Sequence, residues 1–174
     1  MKKILFTLFV SCFSVVYSQN LAFADSKFKA LILSSNSTNN IAKDLNGNSI
    51  AIDANADGEI QPSEAQQVKI LTIKLPNFSS NLVPDNISDA TKFTNVEELY
   101  INHTNNAVLN YTDNSKIKKV KFIYIGDVMP TTINYSFNNC SALQNLNDVI
   151  TSPYTSSSPL AINTIPQILT VKNC

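Results

Sequence analysis

Phe93-Thr94-Asn95-Val96-Glu97-Glu98-Leu99-Tyr100-Ile101-Asn102 is the stretch whose reading decides the fold. Leu99 and Ile101 alternate with Glu98, Tyr100 and Asn102, the two-residue period of a short strand with one buried face. The alternation recurs at Lys69-Ile70-Leu71-Thr72-Ile73, Lys118-Lys119-Val120-Lys121-Phe122 and Gln167-Ile168-Leu169-Thr170-Val171, with a weaker copy at Leu143-Gln144-Asn145-Leu146. Taking Leu71, Leu99, Val120, Leu146 and Leu169 as equivalents gives intervals of 28, 21, 26 and 23 residues. Recurrence on that scale marks stacked units that bury a continuous core between neighbours. If Leu71, Leu99 and Val120 form one inward column, then Lys69, Glu97 and Lys118 align outside it and Glu98 faces Lys119. Opposite charges on adjacent strands favour this register, each exposed pair adding only ~0.2–1 kcal/mol. Thr72, Tyr100, Lys121 and Thr170 then line the open strand face, where repeat proteins bind partners. Tyr100 is the expected contact anchor, with cover for the neighbouring strands as its plainer role. The group Lys116, Lys118, Lys119 and Lys121 reads as charge pairing on a solvated face in preference to a grip on acidic glycans. The same alternation also fits a generic β-sandwich.

Upstream lies Asp53-Ala54-Asn55-Ala56-Asp57-Gly58-Glu59-Ile60-Gln61-Pro62-Ser63-Glu64. Oxygen-bearing side chains fall at loop positions 1, 3, 5 and 12, glycine at 6 and an aliphatic residue at 8, which is the EF-hand calcium pattern. Asp53, Asn55 and Asp57 alternate so that their oxygens can converge on one side of a tight turn. Gly58 permits the positive φ that bends the chain, the main-chain carbonyl of Glu59 offers the next oxygen, and Glu64 can close the shell with both carboxylate oxygens. Gln61 can act through a water, and Ile60 anchors the loop to the core. The expected metal ligands are thus Asp53, Asn55, Asp57, Glu59 and Glu64, and the expected ion is Ca2+; Zn2+ is excluded because no nearby His or Cys is offered. A helix is expected at Ser26–Ser35, capped at Asp25/Ser26, with Phe28, Leu31 and Leu33 apolar. A shorter one is expected from Pro62 to Gln67. Asp44-Leu45-Asn46-Gly47-Asn48 reads as a turn. With one such loop and only two Met, a structural ion fits better than a sensor, which pairs its loops and opens a Met-rich groove.

At the N-terminus, Met1-Lys2-Lys3, an apolar run from Ile4 to Val16, and Val16-Tyr17-Ser18 form a secretory signal peptide over residues 1–18. The run is short of the ~20 residues that cross a bilayer, so no transmembrane segment is expected after its removal. Of the chain's 174 residues, 13 are basic and 13 acidic, and all the basic ones are Lys. Without net charge or Arg, nucleic acid is excluded as a partner. One His and three Gly leave little for a catalytic triad or a phosphate loop, and His103 reads as a turn residue. No enzyme is expected. Cys140 and Cys174 are fewer thiols than a disulfide framework carries and read as buried, unpaired residues, although one bridge is possible. The sequons at Asn36, Asn77, Asn86, Asn102, Asn110, Asn134 and Asn139 reflect a composition with 23 Asn.

The stretch from Phe93 to Asn102 is similar to the LxxLxL core of a leucine-rich repeat, including a Phe-x-Asn lead-in. Together, signal peptide, EF-hand-like loop and irregular repeats resemble secreted bacterial leucine-rich-repeat proteins over residues 22–174. The resemblance implies an α/β leucine-rich-repeat solenoid of short parallel strands with an irregular convex side. Residues 19–67 would form a small helical cap carrying the calcium loop, and residues 68–174 irregular repeats that continue beyond Cys174. It implies a secreted or cell-surface module for adhesion to an extracellular protein or glycan. Variable repeat length, few Leu and the poor fourth copy depart from the pattern. The competing reading is a dockerin-like or other accessory domain of a secreted degradative system, disfavoured because a dockerin needs a second loop.

Overall fold

The computed structural model describes residues 19–74, 83–103, 108–124, 133–150 and 167–174; the expected signal peptide lies outside them. The chain runs through α1 (Ser26–Leu33), β1 (Ala42–Lys43), α2 (Pro62–Ala65), β2 (Ile70–Lys74), a 3-10 turn (Ser88–Lys92), β3 (Glu98–His103), β4 (Val108–Thr112), β5 (Lys119–Tyr124), β6 (Ile133–Asn138), β7 (Asn145–Ile150) and β8 (Gln167–Lys172). It is a mixed α/β structure of two sheets, ordered β1-β2-β3-β5-β7 and β4-β6-β8. Among the described strands the pairings are parallel except β1 against β2. From β3 onward, successive strands alternate between the sheets, so each parallel neighbour is two strands away in sequence.

The first sheet keeps the register that the sequence predicts: Leu71, Leu99, Val120 and Leu146 stand in one row. Leu71, Leu99 and Val120 are fully buried, as are Ile73 and Ile101 two residues on. The weak copy at 143–146 is thus the true fourth member. Leu169 is not the fifth, because β8 belongs to the second sheet, where Leu169 pairs with Tyr135. The connections expected to be irregular carry that second sheet. Its strands alternate as well, burying Leu109 and Tyr111 from β4 and Tyr135 and Phe137 from β6. His103 ends β3, opposite Tyr124, instead of lying in a turn.

The two inner faces meet through aromatic rings. Phe122 stacks on Tyr135 with centroids 4.9 Å apart and planes at 8°, and meets Phe137 edge-on at 6.4 Å. Each such buried apolar side chain contributes roughly 1.5–3 kcal/mol. The cap joins the same core through Phe28, Ile32, Ile52 and Ile60. Asp25 starts α1 as its N-cap, Oδ1 accepting from Lys27 N at 2.9 Å and Phe28 N at 3.0 Å. Its Oδ2 accepts from Asp85 N at 2.8 Å and Asn86 N at 3.0 Å, tying the helix start to the turn before the 3-10 segment. Of the three apolar helix positions read from sequence, only Phe28 is fully buried; Ile32, one turn on, supplies the other core contact.

A recurring corner closes the second sheet. After β4, β6 and β8 the chain turns through Asp113, Asn139 and Asn173, all left-handed at φ 57°, 55° and 53°. Asp and Asn tolerate this region better than other residues with a Cβ. Asn139 Nδ2 donates to Asp113 Oδ1 at 2.8 Å and Asn173 Nδ2 to Asn139 Oδ1 at 3.1 Å, so the corners form a hydrogen-bonded ladder.

Candidate calcium loop and strand face

The acidic loop runs from Asp53 to Glu64 and feeds directly into α2. Asp53 accepts from Asp57 N at 3.1 Å and Gly58 N at 2.9 Å; Asn55 Oδ1 accepts from Asp57 N at 3.0 Å; Asp57 Oδ1 accepts from Glu59 N at 2.8 Å. Gly58 has φ 77°, the positive value the turn requires, and Ile60 is fully buried beneath it. The backbone of Ile60 is held as well, its carbonyl accepting from Leu21 N at 2.7 Å. Glu64 reaches back across the loop: Oε1 accepts from Ala54 N at 2.9 Å and Oε2 from Gln61 N at 3.0 Å. The latter bond is half of a capping box on α2, with Pro62 at its start.

The loop therefore brings Asp53, Asn55, Asp57, Gln61 and Glu64 into one hydrogen-bonded unit. Asn55 Nδ2 and Gln61 Nε2 donate to Asp57 Oδ2 at 3.0 and 2.9 Å, so two amide N–H groups meet that carboxylate. Among the described residues, no three or more His, Cys, Asp or Glu side chains gather into a metal-holding group. The donor chemistry still fits a hard cation. A carboxylate oxygen has a second lone pair beyond the one spent on a backbone amide, and amide and main-chain oxygens add to the set. Glu59 can serve only through its main-chain carbonyl, because its carboxylate turns away to Lys29 Nζ at 2.7 Å. The neighbouring turn at Asp44 is built alike on a smaller scale, Oδ1 accepting from Asn46 N and Asn48 N at 2.8 Å with Gly47 at φ 88°. Hydrogen bonds, first that from Asn48 N, hold the Asp44 carboxyl below its ordinary range.

On the first sheet Thr72, Tyr100 and Lys121 stand in one register row on the face opposite the core, flanked by Ile70, Glu98 and Lys119. Thr170 is not with them. It aligns with Ser136, and Ser136 with Asn110, on the second sheet, because β8 pairs with β6. The predicted charge pairing is present. Glu97 lies 2.8 Å from Lys118 Nζ and 3.9 Å from Lys69 Nζ, and Glu98 lies 3.4 Å from Lys119 Nζ. The Lys118 hydrogen bond holds the Glu97 carboxyl below its ordinary range. Tyr100 is half-buried and engaged: its hydroxyl donates to Glu98 and accepts from Lys119 Nζ at 2.9 Å. That ammonium also sits 5.2 Å above the ring. The Tyr100 hydroxyl, then Glu98, hold the Lys119 ammonium above its ordinary range.

Sequence reasoning missed Asn114, which follows the first corner. Buried, it accepts from Lys116 N at 2.8 Å and Ile117 N at 3.0 Å and donates to Tyr111 Oη at 2.8 Å. Its amide also reaches Phe93 O and Val96 O at 3.4 Å, in the preceding copy. Burial pushes the Tyr111 hydroxyl well above the usual phenol range, against the smaller opposing effect of the Asn114 bond. Of the two thiols among the described residues, Cys140 is buried as expected but Cys174 is exposed. Among the described residues, no helix is long and apolar enough to cross a membrane. Compared with protein-family models, curated proteins and solved structures, the chain matches none.

Proposed function

We propose that this chain is a secreted or cell-surface, calcium-stabilised leucine-rich-repeat module, not an enzyme, that binds an extracellular protein or glycan on its first sheet. The observation that carries this reading is the unbroken parallel register of Leu71, Leu99, Val120 and Leu146, which stacks the copies as a repeat array requires. Such stacking leaves an outer face whose rows combine hydroxyl, phenol and ammonium groups, Thr72 beside Tyr100 beside Lys121. Hydroxyl-rich and peptide surfaces are ligands that such groups recognise by hydrogen bonding and ring contact. The calcium loop would act structurally: it anchors Ile60 in the core and leads into α2, so an ion bound by Asp53, Asn55, Asp57, the Glu59 carbonyl and Glu64 stiffens the cap over the first strand.

Heating the chain with and without calcium tests the metal. At an affinity of ~10⁻⁴ M, calcium at 100 times that level adds about 2.7 kcal/mol, which raises the melting temperature by several degrees. Asp53→Ala abolishes the rise; a wild-type chain indifferent to calcium overturns the metal assignment. Binding is tested on a glycan array and by capture of surface proteins, with Lys121→Ala and Tyr100→Ala each expected to weaken a positive signal about tenfold or more. Retention undiminished by either change would move the site off this face.

A further inference from the structure

We propose that Cys140 and Cys174 are a redox pair that closes a disulfide across the corner of the second sheet and fastens β8 to β6. The two strands pair in parallel up to Asn138↔Lys172 and leave through residues of the same left-handed conformation, Asn139 and Asn173. Asn139 N donates to Lys172 O at 3.0 Å and Asn173 Nδ2 to Asn139 Oδ1 at 3.1 Å, so the corners stay stacked. The next residues, Cys140 and Cys174, therefore stand side by side about one strand spacing apart, ~4.7–4.9 Å. That lies within the Cα separation of ~4.4–6.8 Å that a disulfide spans. The sulfurs occupy this corner too: Cys174 Sγ accepts from Cys140 N at 3.3 Å and lies 3.6 Å from Phe137 O, while Cys140 Sγ lies 3.5 Å from Asn138 O. At the equivalent place after β4 stands Asn114, so the thiols fall on the outermost pair of the row. Among the described residues β8 is the edge strand of this sheet and pairs with β6, with Val171 46% exposed.

Both thiols are free in the structure, and their settings differ in a way that orders the chemistry. Cys174 is exposed and meets the oxidant; Cys140 is buried and resolves. Burial, then the neighbouring Cys174, push the Cys140 thiol up to about 11. With a small disulfide as oxidant, the Cys174 thiolate attacks one sulfur, the oxidant's S–S bond breaks, and one thiolate leaves and takes up a proton. Cys140 then gives its proton to solvent and attacks the Cys174 sulfur, expelling the second thiolate. Two protein thiols are oxidised and one disulfide is reduced to two thiols. A supply of such an oxidant in the cell rests on the exported reading, whereas the closure itself does not.

The test equilibrates the full chain under native conditions with oxidised glutathione, then alkylates it after denaturation and maps its peptides without reduction. The expected product is a monomer containing a Cys140–Cys174 linked peptide with neither residue alkylated, and with amide exchange in β8 slowed tenfold or more. Cys174→Ser, at an exposed position, abolishes the link and the slowing without the packing loss that Cys140→Ser risks. Alkylation of both residues, separate glutathione adducts on each, or a link found only between two chains overturns the proposal. Failure to find the chain outside the cell would overturn export while leaving the bridge formed in vitro intact, so the two failures are distinguishable.

Discussion

Asp25 shows how much one side chain can organise: its two oxygens accept four backbone amides, two from the helix it starts and two from Asp85 and Asn86, 60 and 61 residues further on. Burial raises its pKa, but the amides of Asn86, Phe28, Asp85 and Lys27 together outweigh that and leave it lowered. A carboxyl with a lowered folded-state pKa contributes stability that is complete above its unfolded value of about 3.9 and is lost as pH falls through the folded one. Asp25→Ala should therefore cost about 1–2 kcal/mol at neutral pH in urea unfolding. Asp25→Asn can keep the helix-start bonds through its one acceptor oxygen but turns a donor NH2 toward the Asp85 and Asn86 amides, and it should flatten the acid limb of stability below about pH 4; an unchanged limb would contradict this assignment. Asn114 is the counterpart inside the core, and Asn114→Ala should cost about 1–3 kcal/mol by stranding amides and the Tyr111 hydroxyl. The capping role of Asp25 was legible because a cap is local, while its grip on residues 85 and 86 was not. Nothing in the sequence marked Asn114, because Phe93 and Val96 are brought to it only by stacking.

Among the elements, β2, β3 and β5 of the first sheet were read correctly because two independent signals agreed, the apolar column and the charges beside it, whereas the two-residue β1 was not foreseen. Glu97 sits between Lys69 and Lys118, yet all three side chains face water. Glu97→Gln should cost under about 1 kcal/mol, with a difference from wild type that shrinks in high salt. Since its pKa is lowered, that difference should also vanish as pH falls below the carboxylate range, where wild-type Glu97 is itself neutral. A difference that persists in acid would point to packing instead of charge. Strand β8 illustrates the limit of the pattern. A two-residue period says which side of a strand is buried but not which sheet the strand joins, and its interval from Leu146 fell in the same range as the true ones. Thr170 was misplaced for that reason alone. The alternation of β4 and β6, Leu109 with Tyr111 and Tyr135 with Phe137, was also present in the sequence. It lay between the copies and was taken for connection.

At the scale of the whole molecule, the two sheets are held by rings that cross between them, with Phe122 at the centre against both Tyr135 and Phe137. Phe122→Ala should cost about 3–5 kcal/mol, the largest loss of any single truncation considered, and should loosen both sheets together. Hydrogen exchange that rises in only one sheet would show that they are not one cooperative unit. The Cys140–Cys174 bridge, closing a loop of 34 residues, would add about 4 kcal/mol at the β8 edge of the second sheet. By itself the sequence determined the short strands, their inward rows, the capped helix and the turn geometry of the acidic loop, because each depends on periodicity or on groups a few residues apart. Only the tertiary structure decided that the connections form a second parallel sheet, that Thr170 leaves the Thr72–Tyr100–Lys121 row, and that two thiols 34 residues apart meet at one corner. Those outcomes depend on which strand lies beside which, and parallel pairing between distant segments is set by how the whole core packs, not by any local run of residues.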